Sequence, residues 1–153
     1  MEFEYKYPLR VPADDAWARL QEPEAIAACM QELKDLRHIE NGHYTANVVT
    51  AVGPIRLKFH ARAEILYGED RTISAKVAMG DGRAGTVDGH FRIRLALRAA
   101  AESDLLLDAN VAVGGRLGEF AQPLLRRKAD QVVKDFAAAL RAVVEQAKGG
   151  EEA

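Results

Sequence analysis

From Gly114 to Lys148 the chain carries two interleaved apolar ridges at i, i+4 spacing. A helix of that length dictates what the remainder must be. One ridge runs Leu117, Ala121, Leu125, Ala129, Val133, Ala137; the other runs Phe120, Leu124, Lys128, Val132, Phe136, Leu140, Val144. Four residues turn a helix through about 400°, so each ridge winds round the axis and predicts an oblique crossing over a curved surface. Lys128 alone interrupts the pattern. Pro123 lacks an amide donor and clashes with the preceding turn, which predicts a kink or a late helix start, and a weak turn there would let the first part of the helix move to admit a ligand.

Everything before this helix reads as material to receive it. Residues 2–11 alternate, with Phe3, Tyr5, Tyr7, Leu9 and Val11 on one face, as in a half-buried strand. Pro12 and Pro23 each open a short helix, the first with Asp14 and Asp15 in its opening turn and Trp17 and Leu20 on its buried side. From Leu33 the chain is strand after strand. Asn41-Gly42 and Gly53-Pro54 mark hairpins. Residues 55–65 place Ile55, Leu57, Phe59, Ala61, Ala63 and Ile65 inward. Ile73 to Met79, Val87 to Leu97 and Leu105 to Val113 continue the pattern. The predicted fold is α+β: a curved antiparallel sheet of about seven strands wrapped on a long C-terminal helix, with two short helices after the first strand. Residues 1–148 form the domain, and 149–153 are expected to fray.

Lengths fix the layering. A strand of eleven residues spans about 36 Å and a helix of thirty-two about 48 Å, so the helix crosses the whole sheet and leaves one sheet face polar. A strongly bent sheet does not meet a straight helix everywhere, which leaves room for a small apolar ligand between the layers.

Composition excludes several classes. With 21 basic and 23 acidic residues and a formal charge of −2, no basic excess exists to neutralise nucleic-acid phosphates. The single cysteine, Cys29, rules out an internal disulfide and reads as a buried structural thiol in a reducing compartment. The N-terminus lacks the apolar run of a signal peptide, and no stretch approaches the ~20 apolar residues of a membrane span. The expected setting is the cytoplasm, or the inner face of the membrane as a peripheral protein.

Chemistry-bearing patterns are sparse. Gly80-Asp81-Gly82-Arg83-Ala84-Gly85 fits the dinucleotide glycine pattern, but a strand follows where the pyrophosphate needs a helix N-terminus, so it reads as a hairpin. Gly114-Gly115 reads as a tight strand-to-helix turn. His38, His43, His60 and His90 show no metal-ligand spacing, and His60 and His90 fall on outer faces. No cofactor, metal or catalytic residue is expected. Lys128, one turn from both Leu124 and Val132, either snorkels to solvent or offers its ammonium to a polar ligand head such as a quinone carbonyl.

Several segments resemble one family. Val11-Pro12-Ala13 with Asp15 and Trp17, Glu22-Pro23-Glu24, Tyr44 with Val52-Gly53-Pro54-Ile55 and Phe59, the glycines 80, 82, 85 and 89, and Asp108-Ala109-Asn110-Val111 leading to Gly114-Gly115-Arg116-Leu117 are similar to the carbon monoxide dehydrogenase CoxG-like family, within the START-like or SRPBCC superfamily. Ala28-Cys29-Met30-Gln31 departs from the proline-glycine-cysteine step usual there. The resemblance implies a helix-grip fold, a lipophilic cavity, and service to a molybdenum hydroxylase of the carbon monoxide dehydrogenase type, by membrane recruitment or by carrying a quinone.

These readings combine into a non-enzymatic carrier or adaptor for a quinone or lipid. Its wall candidates are Trp17, Met30, Phe59, Met79, Phe91, Phe120 and Leu124, with Lys128 at the polar end. Two rivals stand beside it: a START-like cyclase or hydrolase acting on an apolar substrate, and a docking protein whose cavity is incidental.

Overall fold

The computed structural model describes residues 1–81, 85–119 and 122–152, with side chains for 1–81, 85–119 and 123–145. Strand β1 (Glu2–Leu9) is followed by helices α1 (Ala13–Leu20) and α2 (Pro23–Ala28). Then come β2 (Leu33–Glu40), β3 (His43–Val52), β4 (Ile55–Tyr67), β5 (Thr72–Asp81), β6 (Gly85–Ala99) and β7 (Glu102–Gly114). A 3-10 turn over Gly115–Glu119 leads to α3 (Gln122–Glu152). The seven strands form one sheet in the order β1-β7-β6-β5-β4-β3-β2, antiparallel at every step. The sheet is therefore a meander closed at one side by the return of the N-terminus onto β7.

The predicted hairpins form where glycine supplies a backbone that other residues avoid. Gly42 has φ 72°, and a Cβ there would stand 2.7 Å from the Ile65 carbonyl oxygen. Gly53 has φ 58° and leaves its open side to Leu124, whose Cδ2 would lie 3.1 Å from an added Cβ. Asp81 pairs directly with Gly85, so a strand follows the glycine-rich stretch, whose residues 82–84 lie outside the described residues.

The C-terminal helix is shorter at its start and longer at its end than the periodicity predicts. Gly114 still belongs to β7, Gly115 has φ 69°, and α3 begins only at Gln122, which puts Pro123 in the first turn rather than inside the helix. The first turn is the place where a missing amide donor removes no helical hydrogen bond, so the proline sets the start and needs no kink. At the other end the helix is assigned through Glu152, past Lys148. One inward residue is left uncovered: Leu97 is 70% exposed although it pairs in register with the buried Ser103, and the β6–β7 ladder shifts only beyond it, between Leu97 and Ala99.

Three packed clusters sit on the inner face. Leu9, Val11, Ala16, Leu20, Cys29, Ile73, Leu95 and Leu105 bury Phe136, Ala137, Leu140 and Val144 of α3. At the opposite end Val52, Leu57, Phe59 and Leu117 hold Leu125, with Leu124 beside it. Phe3, Leu107 and Ala109 meet Ala129 and Val133. The two helix ridges thus engage different clusters in turn, which is the oblique crossing that their inclination predicts.

Candidate functional site

The helix does not rest on the middle of the sheet. Its backbone comes closest to α1, β1 and β3. Since β1 and β3 belong to opposite sides of the strand order, the sheet must curve round the helix for α3 to touch both. Side chains repeat the pattern. The Arg126 guanidinium lies 4.9 Å over the Phe3 ring on β1, while Lys128 reaches the α2–β2 loop beside β3. Between these supports, Val77, Met79, Phe91, Ile93 and Val111 are only half-buried although α3 lies over their face. Leu57, Leu95 and Leu105, at the ends of the same face, are fully buried. Some apolar side chains of this face thus stay solvent-reachable beside buried neighbours such as Ala61, Leu107 and Ala109.

The sequence candidates do not form one cluster. Phe59, Met79 and Leu124 pack together at the β3–β4 end. Trp17 and Met30 pack at the α1 end, where the Trp17 ring meets Tyr67 edge-on at 6.1 Å and the Tyr67 hydroxyl donates to the Leu20 carbonyl at 3.3 Å. Phe91 belongs to the third cluster. Phe120 lies outside the described residues. Lys128 is half-buried, and its Nζ donates to Glu32 Oε1 at 2.6 Å. Instead of pointing to bulk water, the ammonium ties α3 to the loop between α2 and β2.

Sequence reasoning misses Glu32 altogether. It stands in a polar loop with no periodicity, and its partner is 96 positions away. The Tyr44 ring lies 5.0 Å from that of His38 at the β2–β3 rim. Burial pushes the Cys29 thiol up, with Arg19 pulling weakly the other way, so this thiol is a poor nucleophile. His60 lies on the outer face, where its Nδ1 is 3.3 Å from Asn47 Oδ1, and His90 is exposed.

Two hollows lie at the surface. A groove of about 750 Å³ crosses the outer sheet face between Glu64, Lys76, His90 and Glu2 on one bank and Leu66, Ser74, Arg92 and Glu4 on the other. A smaller one, about 410 Å³, lies between the edge strand β1 and Pro123, Arg126, Arg127 and Asp130. Both are open and walled largely by charged side chains, so neither suits an apolar ligand; of the described candidates only Phe91 borders the larger one.

A long C-terminal helix gripped by a curved antiparallel sheet defines a START-like, helix-grip domain. The sequence matches the CoxG family, named for the G subunit of carbon monoxide dehydrogenase, over residues 8–145, so the chain belongs to that family. Among solved structures it is similar to a conserved protein from Geobacillus kaustophilus, with TM-score 0.89 and 19% identity over 95% of this chain and 96% of that one. A START superfamily protein from Mycobacterium smegmatis gives TM-score 0.73 and 16% identity, covering 95% and 97% of the two chains. The Zhui aromatase/cyclase from Streptomyces sp. R1128 gives TM-score 0.64 and 18% identity, covering 97% and 93%. No curated protein matches by sequence. Family and fold together suggest a hydrophobic-ligand-binding domain.

Proposed function

We propose that this chain is a non-enzymatic carrier or adaptor that holds a hydrophobic small molecule between the concave sheet face and α3. The observation that carries this reading is the divided core, in which Val77, Met79, Phe91, Ile93 and Val111 stay solvent-reachable beneath a covering helix. A chain of this size closes such a space with side chains unless the space is used, because an unfilled hollow forfeits contacts along its whole lining. The ligand is a quinone or lipid. Trp17, Met30, Phe59, Met79, Phe91 and Leu124 form the wall and Lys128 the polar end.

The family description points to the partner, a molybdenum hydroxylase of the carbon monoxide dehydrogenase type. Exchange of a quinone would bring the protein to the inner face of the membrane as a peripheral visitor. Among the described residues no helix is long and apolar enough to cross a bilayer. Likeness to an aromatase/cyclase at 18% identity extends to the fold and carries no reaction with it.

Native mass spectrometry of gently purified protein tests the reading. A copurified quinone or lipid, recovered chemically unchanged, supports the carrier. A protein that stays empty yet captures the hydroxylase supports docking with an incidental hollow, and recovery of a cyclised or hydrolysed product supports an enzyme.

A further inference from the structure

Lys128 is the cation on the interior ridge of α3, between Leu124 and Val132, and it carries its own counter-ion. Its Nζ lies 2.6 Å from Glu32 Oε1, with side-chain exposures of 22% and 34%. The pair is shielded enough for charge to matter and open enough to be reached. Glu32 is held in place from behind, because its carbonyl accepts from the Val49 amide at 2.9 Å and so pins the loop to β3. Thr50, next along β3, has its Oγ1 buried with no hydrogen-bond partner among the described residues. The apolar ridge of α3 thus has a polar corner at Lys128, and the formal charge of its ion pair is zero.

Resting on the carrier reading above, we infer that this corner selects amphiphiles with an uncharged oxygen head, a hydroxyl or ring carbonyl, and that Glu32 is the residue that rejects carboxylates and phosphates. An ammonium has three donors, so Lys128 keeps donors for a neutral head oxygen while bound to Glu32; a hydroxyl can also donate to the free lone pairs of the carboxylate. Neither contact disturbs the pair. An anionic head faces a different balance. Either it displaces Glu32 from Lys128 and leaves that carboxylate half-buried and unpaired, or it sits beside the carboxylate charge; both are unfavourable where solvent screening is weak. A lone Lys128 would receive anions, and Glu32 cancels that property.

The test uses the full chain and two probes of equal chain length, 1-dodecanol and dodecanoate, titrated calorimetrically at constant ionic strength. The wild type is expected to hold dodecanol at least about tenfold more tightly than dodecanoate. Glu32→Gln, which keeps the shape and removes the charge, is expected to shift that ratio toward dodecanoate by about tenfold or more. The exchanged pair E32K with K128E retains a neutral corner and is expected to retain the wild-type preference; it also covers the case in which Glu32→Gln fails to fold. Equal wild-type affinities, an unmoved ratio in folded Glu32→Gln, or a preference for dodecanoate in the exchanged pair each overturn the role of Glu32 while leaving the carrier reading standing. A wild type that binds neither probe overturns the carrier reading, and this inference with it.

Discussion

The Phe91 ring lies back over Gly89 on the inner face of β6, so close that a Cβ on Gly89 would stand 2.5 Å from Phe91 Cε2. The bare backbone of Gly89 therefore sets where the Phe91 ring stands.

Gly89→Ala is expected to push that ring toward α3. Overpacking of this kind costs about 1–3 kcal/mol, and on the carrier reading the displaced ring also narrows the proposed ligand space. Melting and probe titration of the variant should both fall, and adding Phe91→Ala should restore binding more than it restores stability. Independent, additive effects in that double-mutant cycle would show that the two side chains do not meet.

Ser103 joins the N-terminal segment to the far end of β7: its Oγ donates to the Val11 carbonyl at 2.9 Å, and the residue is fully buried. Ser103→Ala leaves a buried acceptor unpaired, at a cost of about 1–3 kcal/mol. In a domain of this size that lowers the melting temperature by several degrees, on the order of 2–4 °C per kcal/mol. A shift within error would mean that another donor replaces the hydroxyl.

Alkaline stability follows from three protonated groups. Burial raises the Cys29 thiol, the Tyr67 phenol (helped by Tyr44) and the Tyr5 phenol (helped by Asp130 and Tyr7). A group with a raised folded pKa binds its proton more tightly in the native state, so its contribution is complete below its unfolded value and is lost as pH rises through the folded one. The loss therefore begins near the ordinary thiol value of 9.0 and continues through the phenol range. Urea midpoints measured across that range should fall with pH, and Cys29→Ala should flatten the first part of the slope. An unchanged slope in that variant would take Cys29 out of the account.

Pro123→Ala is expected to change stability by less than about 1 kcal/mol, because the first turn of α3 makes no use of the missing amide. That position removes the kink from the sequence reading, and with it the reason to expect the first part of the helix to swing. Hydrogen exchange across residues 123–130, with and without dodecanol, checks this; unprotected amides that become protected on binding would restore the moving helix.

Lys128→Met is expected to free the α2–β2 loop. The Glu32 pair is partly exposed, so the stability loss is small, about 1 kcal/mol or less. The clearer readout is faster amide exchange at Met30 to Leu33, and exchange equal to the wild type's would show that the Val49 amide alone holds the loop.

Local pattern carried most of the architecture. Alternation along residues 55–65 orients β4 correctly, Asn41-Gly42 and Gly53-Pro54 lie at the two hairpins, and Phe136, Leu140 and Val144 enter the core as their spacing requires. These features depend on neighbours within a few residues. Where pattern and structure part, Leu97 continues the alternation and stays in register with Ser103, yet is exposed near the end of β6; the late start of α3, by contrast, is one of the two outcomes that Pro123 predicts.

The chain's own order of residues determined that a curved antiparallel sheet would meet one long amphipathic helix, since period and turn chemistry are local and a seven-strand meander has few alternatives. It also singled out Lys128 as the break in an apolar ridge. What only the tertiary structure decided is what that lysine meets. Glu32 is 96 residues distant in a loop without periodicity, and only the bending of the sheet round α3 brings its carboxylate to 2.6 Å. The half-burial of Val77, Met79, Phe91, Ile93 and Val111 has the same origin, because apolar residues on a strand look alike in sequence whether or not the helix above them is in contact.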